Sequence, residues 1–396
     1  MVIKPKEYKS VQCTILAILL VYTLMGIVIY PFLQLLNSAL WKMCFLSFLL
    51  MLFLYIRRPM MTKFGIWTAA YLSVLFVVTS IYGNSIIDVM LLIVELTLLL
   101  TTFYNYKENI DISVKTCAIT FSAMIYLNLF FMLAFPEWRF TAKDAFRGYL
   151  LGGSYNQMGG RILCGLITNV LCLKFGKKWL INNVILFIVS ITTLFAVGSM
   201  TSLCGTILFL ILCLIPTVRL KKVAMVVTFV FYLLFQFIVV FGGEGLYNNS
   251  YVSYFVKYII GKDMTFSGRT VIWEAAGHMF AESPIWGIGV KSGEWFLSNL
   301  STLGRGTHNL IYSELISGGI IILSILILLA STTLSKIMKY GIDNYSGRLI
   351  LGIESWLVMT LFEAYPIFLL FYILLLAYYY PLLDKKVSAL RNAHIP

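Results

Sequence analysis

Stretches of about 20 apolar residues recur along this chain, each closed by a tight turn or a short basic cluster, and that spacing matches the helix length that crosses a bilayer. Twelve such stretches can be placed, at 12–33, 37–56, 64–82, 85–104, 114–135, 157–175, 179–197, 200–217, 222–241, 309–332, 349–364 and 366–383. Only 12% of the residues are charged, about half the fraction of a soluble domain, which excludes a water-soluble enzyme. The expected fold is therefore all-α: a polytopic integral membrane protein with about 12 transmembrane helices.

The basic residues test this map independently. The 30 Lys and Arg against 17 Asp and Glu give a net charge of +13, which in a soluble protein would suggest nucleic acid. Here 20 of the 30 fall in every second connection: Lys4/Lys6/Lys9, Arg57/Arg58/Lys63, Lys107/Lys115, Lys174/Lys177/Lys178, Arg219/Lys221/Lys222, Lys336/Lys339/Arg348 and Lys385/Lys386/Arg391. Turns near Gln34, Gly83, Gly198 and Ala364 hold none. Short cytoplasmic loops accumulate such residues, so both termini are expected in the cytoplasm, with no nucleic-acid partner. The first span is expected to be a retained helix, since no small-residue cleavage site follows it.

Two connections on the other side are long. One runs from Pro136 to about Asn156; the other runs from about Gly242 to His308, a length that commonly carries function. The second has an amphipathic piece, where Ile272, Trp273, Ala276 and Phe280 recur at helical spacing between Arg269 and Glu282. Ser283-Pro284 then ends it, and a short helix lying at the outer membrane surface is expected there. The chain divides accordingly into residues 1–241 with nine spans, an extracytoplasmic loop at 242–308, and residues 309–396 with three spans and a cytoplasmic tail.

Absent motifs remove whole classes of chemistry. No G-x-x-x-x-G-K-[ST] phosphate cradle occurs, the six Asp residues form no D-x-D pair, and His278, His308 and His394 do not cluster. Metal-dependent nucleotide-sugar chemistry is disfavoured, and neither a metal nor a cofactor is expected. The seven cysteines lie in or beside apolar runs without ligand spacing and read as small hydrophobes.

The long loop closes on a distinctive string: Gly268-Arg269, Trp273, then Pro284-Ile285-Trp286-Gly287-Ile288-Gly289, Thr307-His308-Asn309-Leu310, Glu314 and Gly318-Gly319. This resembles the O-antigen ligase and polysaccharide polymerase superfamily, whose signature is an Arg followed by a Trp, a P-x-x-G-x-G turn, and a His-Asn pair opening the next transmembrane helix. Upstream, Gly152-Gly153-Ser154-Tyr155-Asn156-Gln157-Met158-Gly159 looks like that family's Gly/Asn-rich approach to a helix. One departure is the stretch Gly198-Ser199-Met200-Thr201-Ser202, where many members carry a Ser-Arg pair.

The resemblance implies inverting, metal-independent glycosyl transfer at the outer face of the bacterial cytoplasmic membrane, from a polyprenyl-diphosphate-linked (undecaprenyl-type) oligosaccharide. A departing diphosphate needs fixed cations, and Arg offers a planar donor fork that does not deprotonate. Arg269 suits that role, Arg161 stands in for the missing arginine, and Arg305 is third. His308 is the expected base, oriented by Asn309 or by Glu314, with Asn156 in the substrate-binding set. Arg161 alternatively pairs with Asp88 or Glu95, while Lys42, Asp88, Glu95, Glu354 and Glu363 read as structural ion pairs. The expected activity is a polymerase lengthening O-antigen, capsule or exopolysaccharide repeat units, with a flippase and a chain-length regulator as partners beside the membrane lipids. The alternatives are an O-antigen ligase with a lipid A-core acceptor, or a secondary transporter or flippase.

Overall fold

In a bilayer a helix pairs its backbone within itself, and the apolar stretches of this chain are helices. The computed structural model describes residues 5–25, 31–57, 62–135, 150–151, 156–242, 268–300 and 305–392. The helices are α1 (Pro5–Leu24), α2 (Pro31–Arg57), α3 (Lys63–Tyr82), α4 (Ile86–Asn105), α5 (Ile110–Ala134), α6 (Met158–Cys172), α7 (Lys178–Val197), α8 (Met200–Leu214), α9 (Val218–Phe235), α10 (Arg269–Glu282), α11 (Gly293–Asn299), α12 (Leu310–Tyr340), α13 (Asn344–Thr360) and α14 (Ile367–Asn392). Among the described residues nine helices are long and apolar enough to cross a membrane, so this is an all-α polytopic membrane protein. A helix lies at each of the twelve expected stretches, but α1, α8 and α13 fall short of that measure. Most of the 136–156 connection, including Gly152 to Tyr155, and residues 243–267 lie outside the described residues, as do Lys4, Arg58 and His394.

The bundle has two chemically distinct ends. At one, the basic connections meet: Lys174 is buried against Asp343 (3.0 Å), Asp384 and Tyr380, and Lys221 donates to the Asn344 side chain at 3.0 Å. Asp343 caps α13 through the Tyr345 and Ser346 amides. At the other end gather the turns without basic residues and the close of the long loop: Ser202 bonds the Asn156 carbonyl (3.3 Å) and the Tyr365 hydroxyl (3.1 Å). Between these ends α6 and α14 form the centre, α6 being buried on every side, including its polar residues Arg161, Thr168 and Asn169.

The long loop is not a flap over this bundle but is spliced into it. α12 is broken at Gly318-Gly319, where φ is −153° and +65°, and the freed backbone groups are taken by the turn at 284–288. Ile320 N–H donates to the Pro284 carbonyl at 2.9 Å, and Ile288 N–H donates to the Ile316 carbonyl at 2.7 Å. Only glycine allows the approach: a Cβ on Gly319 would lie 2.1 Å from the Ile285 oxygen, and one on Gly287 would lie 2.5 Å from the Ile316 oxygen. The loop then docks on the end of α3, with Val290 N–H on the Thr79 hydroxyl (3.0 Å) and Asn84 N–H on the Val290 carbonyl (3.1 Å).

The amphipathic piece is a helix over Arg269–Glu282, but its apolar face meets protein. Ile272, Trp273 and Ala276 are buried with Val240, Tyr312, Leu315 and Ile316. The expected placement of that face against lipid is corrected on this ground: aromatic and aliphatic side chains of α9 and α12 already cover it. Of the cysteines, Cys44, Cys117, Cys164, Cys172 and Cys213 are buried, while Cys204 is exposed on the bundle surface.

The splice predicts an asymmetry between glycines. Gly319→Ala carries a positive φ and a backbone overlap, and is expected to destabilise the protein by at least about 2 kcal/mol. Gly306→Ala, with open space around it, should change stability by less than about 0.5 kcal/mol. Thermal unfolding in one detergent checks both; equal melting temperatures would mean that the splice does not hold the loop.

Candidate active site

His308 is the only non-glycine residue with positive φ among the described residues, at +50°. An imidazole-bearing residue tolerates this left-handed conformation better than a β-branched one, and here it lies immediately before a helix cap. Asn309 is the cap of α12, accepting from Tyr312 N–H at 3.0 Å. The turn so made aims the His308 ring across to the connection between α13 and α14. There Nδ1 lies 3.0 Å from Oε1 of Glu363.

Glu363 follows the last turn of α13, and Pro366 two residues on from Ala364 excludes a helical Tyr365, so the carboxylate stands at the end of the bundle. Its second oxygen lies 3.6 Å from Nη2 of Arg269. Arg269 opens α10, and α10 is fixed by Trp273, whose ring packs 6.4 Å from Phe362, itself 4.9 Å from Phe235. One carboxylate thus joins two residues brought from either end of α10 and the loop. The side chains are 24% exposed at His308, 15% at Arg269 and 7% at Glu363. Water reaches the imidazole most. With a carboxylate accepting from Nδ1–H, the neutral ring presents Nε2 as its proton acceptor.

The other expected residues take different places. Glu314 is buried in α12 and accepts from the Tyr71 hydroxyl of α3 at 2.7 Å, so it braces two helices; the position beside His308 belongs to Glu363. Asn309 is buried too, donating to Gln236 (2.9 Å) and to the Leu361 carbonyl (3.2 Å), which ties α9, α12 and the Glu363 connection together. Arg161 is nearly buried in α6, reaching the Thr23 and Gln157 carbonyls, both at 3.4 Å. It faces α1 and α4, where Glu95 acts on it electrostatically, and is not brought to the His308 cluster. Arg305 is exposed, its side chain over Gly293.

Where relatives carry Ser-Arg, this chain has hydroxyls. Ser199 donates to Ser202 at 2.9 Å, and Ser202 meets Tyr365. Both pack onto the start of α6, where a Cβ on Gly159 would collide with Ser202 and one on Gly160 with the Tyr365 ring. Burial first, then the nearby Glu363 carboxylate, push the Tyr365 phenol above its usual value, so it remains a neutral hydroxyl beside the carboxylate.

Residues 185–327 match a family model described as O-Antigen ligase. The match covers a little over a third of the chain, and over that segment the chain is similar to this family. The segment runs from within α7 to a point in α12 beyond the Gly318-Gly319 break and contains Arg269 and His308, whereas Glu363 lies beyond it. No curated protein matches the chain. Glu363 escaped the sequence reading because an isolated acid at the end of an apolar run looks like any structural ion pair; its spacing from Arg269 and His308 carries no signal, and only the fold joins them.

If Asn309 is a structural tie, its loss should appear in stability. Asn309→Ala removes a cap, worth about 1 kcal/mol, and leaves Gln236 and the Leu361 carbonyl short of a partner at about 1–3 kcal/mol. A drop of at least about 2 kcal/mol in detergent-solubilised protein is expected. Unchanged melting together with weaker substrate binding would return Asn309 to the binding set.

Proposed function

We propose that this chain is a polysaccharide polymerase that transfers a polyprenyl-diphosphate-linked glycan onto another lipid-linked repeat unit. The observation that carries the reading is the Arg269–Glu363–His308 cluster, formed at the loop end of a bundle whose residues 185–327 match a family model described as O-Antigen ligase. In this reading His308 Nε2 takes the proton of the attacking sugar hydroxyl. Glu363 holds the ring in the required tautomer and stabilises the imidazolium that forms, the part an orienting carboxylate plays in a catalytic triad. Arg269 meets the charge growing on the departing diphosphate. Attack opposite the leaving group inverts the anomeric centre, and fixed cationic charge makes the transfer independent of metal.

Glu363 is read as a positioning residue acting through His308, and a double-mutant cycle tests this. Glu363→Gln is the informative variant, because Gln keeps the shape and a side-chain oxygen acceptor while removing the charge that faces both Arg269 and His308. His308→Ala is expected to slow transfer by about 10²- to 10⁴-fold, and the double variant should be no slower than His308→Ala alone. Multiplying effects would assign Glu363 an independent role. Wild-type activity should persist in EDTA; loss of activity on chelation, restored by Mg²⁺, would contradict an arginine-based site.

The orientation belongs to the same reading: the His308 end faces outward, in the cytoplasmic membrane, with both termini inside. Ser298 is exposed on α11, and Ser298→Cys in a cysteine-free background should react with an impermeant thiol reagent in intact cells. Labelling only after lysis would invert the topology.

The matched model is described as a ligase, and that gives the second reading, transfer of finished glycan to a lipid A-core acceptor. Glycan length in a deletion strain separates the two. Polymerase loss leaves single repeats on the carrier lipid, whereas ligase loss leaves long chains there. A flippase and a chain-length regulator are the partners that a polymerase would work beside.

A further inference from the structure

Along the Thr62 half of α3, α3 and α4 part to leave a groove of about 480 Å³, lined also by Leu72, by Tyr379 and by Leu52 of α2. It follows α3 from Thr62 to Phe76, roughly 20 Å of helix. Its walls are apolar even where the sequence is not. Thr68 and Thr101 donate to their own helices at 3.0 and 2.7 Å, and the Thr62 oxygen accepts from Gly65 N–H at 3.0 Å. These three hydroxyls are used within the protein, and with Ser73, Thr97 and Tyr104 as the other polar side chains of a mostly apolar lining the groove suits hydrocarbon.

Its rim is charged. Thr62 and Tyr104 line the mouth; Lys63 is the next residue after Thr62 and is exposed, and the Lys107 ammonium sits 4.8 Å over the Tyr104 ring. Of the acids nearby, Asp111 is paired with Lys115 at 3.3 Å, and exposed Glu108 is left to offset part of the positive charge. An apolar slot opening on two lysines at the basic end of a bundle matches one class of molecule. We propose that this groove holds one acyl chain of an anionic glycerophospholipid, with its phosphate at Lys63 and Lys107.

The donor lipid is a poorer fit. Its diphosphate belongs at the His308 end in the reading above, while the charged mouth of the groove lies at the opposite end of α3. The bound phospholipid instead fills the gap between α2 and the α3–α4 pair. The apolar window of α2 is only 11% buried inside the protein, which leaves its surface open to lipid.

Full-length protein in nanodiscs of equal phosphatidylglycerol and phosphatidylcholine, matched in acyl chains, is released into a native mass spectrometer. Wild type should retain one phospholipid, enriched in phosphatidylglycerol at least about fivefold. Ala69→Trp, which fills the groove from its exposed face, should abolish retention. The surface pair Lys63→Glu with Lys107→Glu, which leaves the groove itself intact, should remove the headgroup preference while keeping the fold, as judged by melting temperature. Retention without headgroup preference in wild type, equal retention by Ala69→Trp, or a polyprenyl lipid as the retained species from native membranes would each overturn the assignment. Because the readout is lipid mass and not transfer, its failure is independent of any failure of the proposed activity.

Discussion

A helix broken inside a bilayer exposes amides and carbonyls that lipid cannot satisfy, and the break at Gly318-Gly319 in α12 is satisfied by the backbone of the long loop. Pro284, Ile288, Ile316 and Ile320 exchange the hydrogen bonds that an unbroken helix would have made within itself. This makes the loop turn part of the membrane-embedded core. The consequence is local: α10, just before the turn, and His308, just before α12, are fixed to the same frame that carries the α13–α14 connection. Arg269 and His308 reach Glu363 because their backbone anchors do not drift.

The cluster formed there is economical in charge. A single carboxylate neutralises an arginine and orients a histidine, with side-chain exposure rising from 7% at the acid to 24% at the imidazole. Buried ion pairs are weak sources of stability, and in the proposed reading this pair at the bundle end serves the chemistry of His308. Strain at a functional residue persists only where its surroundings over-determine it, and Asn309, tied to α9, α12 and Leu361, provides that constraint.

The repeating apolar stretches were legible because helix length in a bilayer is a property of the local sequence, and a helix was found at each of them. The Arg269–Glu282 helix was legible for the same reason, from its spacing and its Ser283-Pro284 stop. Its partner was not: periodicity identifies an apolar face without saying whether lipid or protein covers it. Likewise the Arg and His of the loop string stood out by type and order, whereas the pairing of Glu314 with Tyr71 and of Glu363 with His308 spans 243 and 55 residues. Such contacts are set by helix packing, which no local pattern encodes. Arg161, a cation in an apolar run, meets backbone carbonyls of α1 and its own helix, with Glu95 of α4 acting on it electrostatically, the alternative that its setting also offered.

The most direct test of the central claim is an experimental structure of the full chain with a polyprenyl diphosphate bound. The account predicts the diphosphate within hydrogen-bonding distance of the Arg269 guanidinium, with His308 Nε2 facing the anomeric side and Nδ1 still on Glu363. A diphosphate seated on Arg161 or Arg305, with the Arg269–Glu363–His308 cluster intact and away from the lipid, would contradict it.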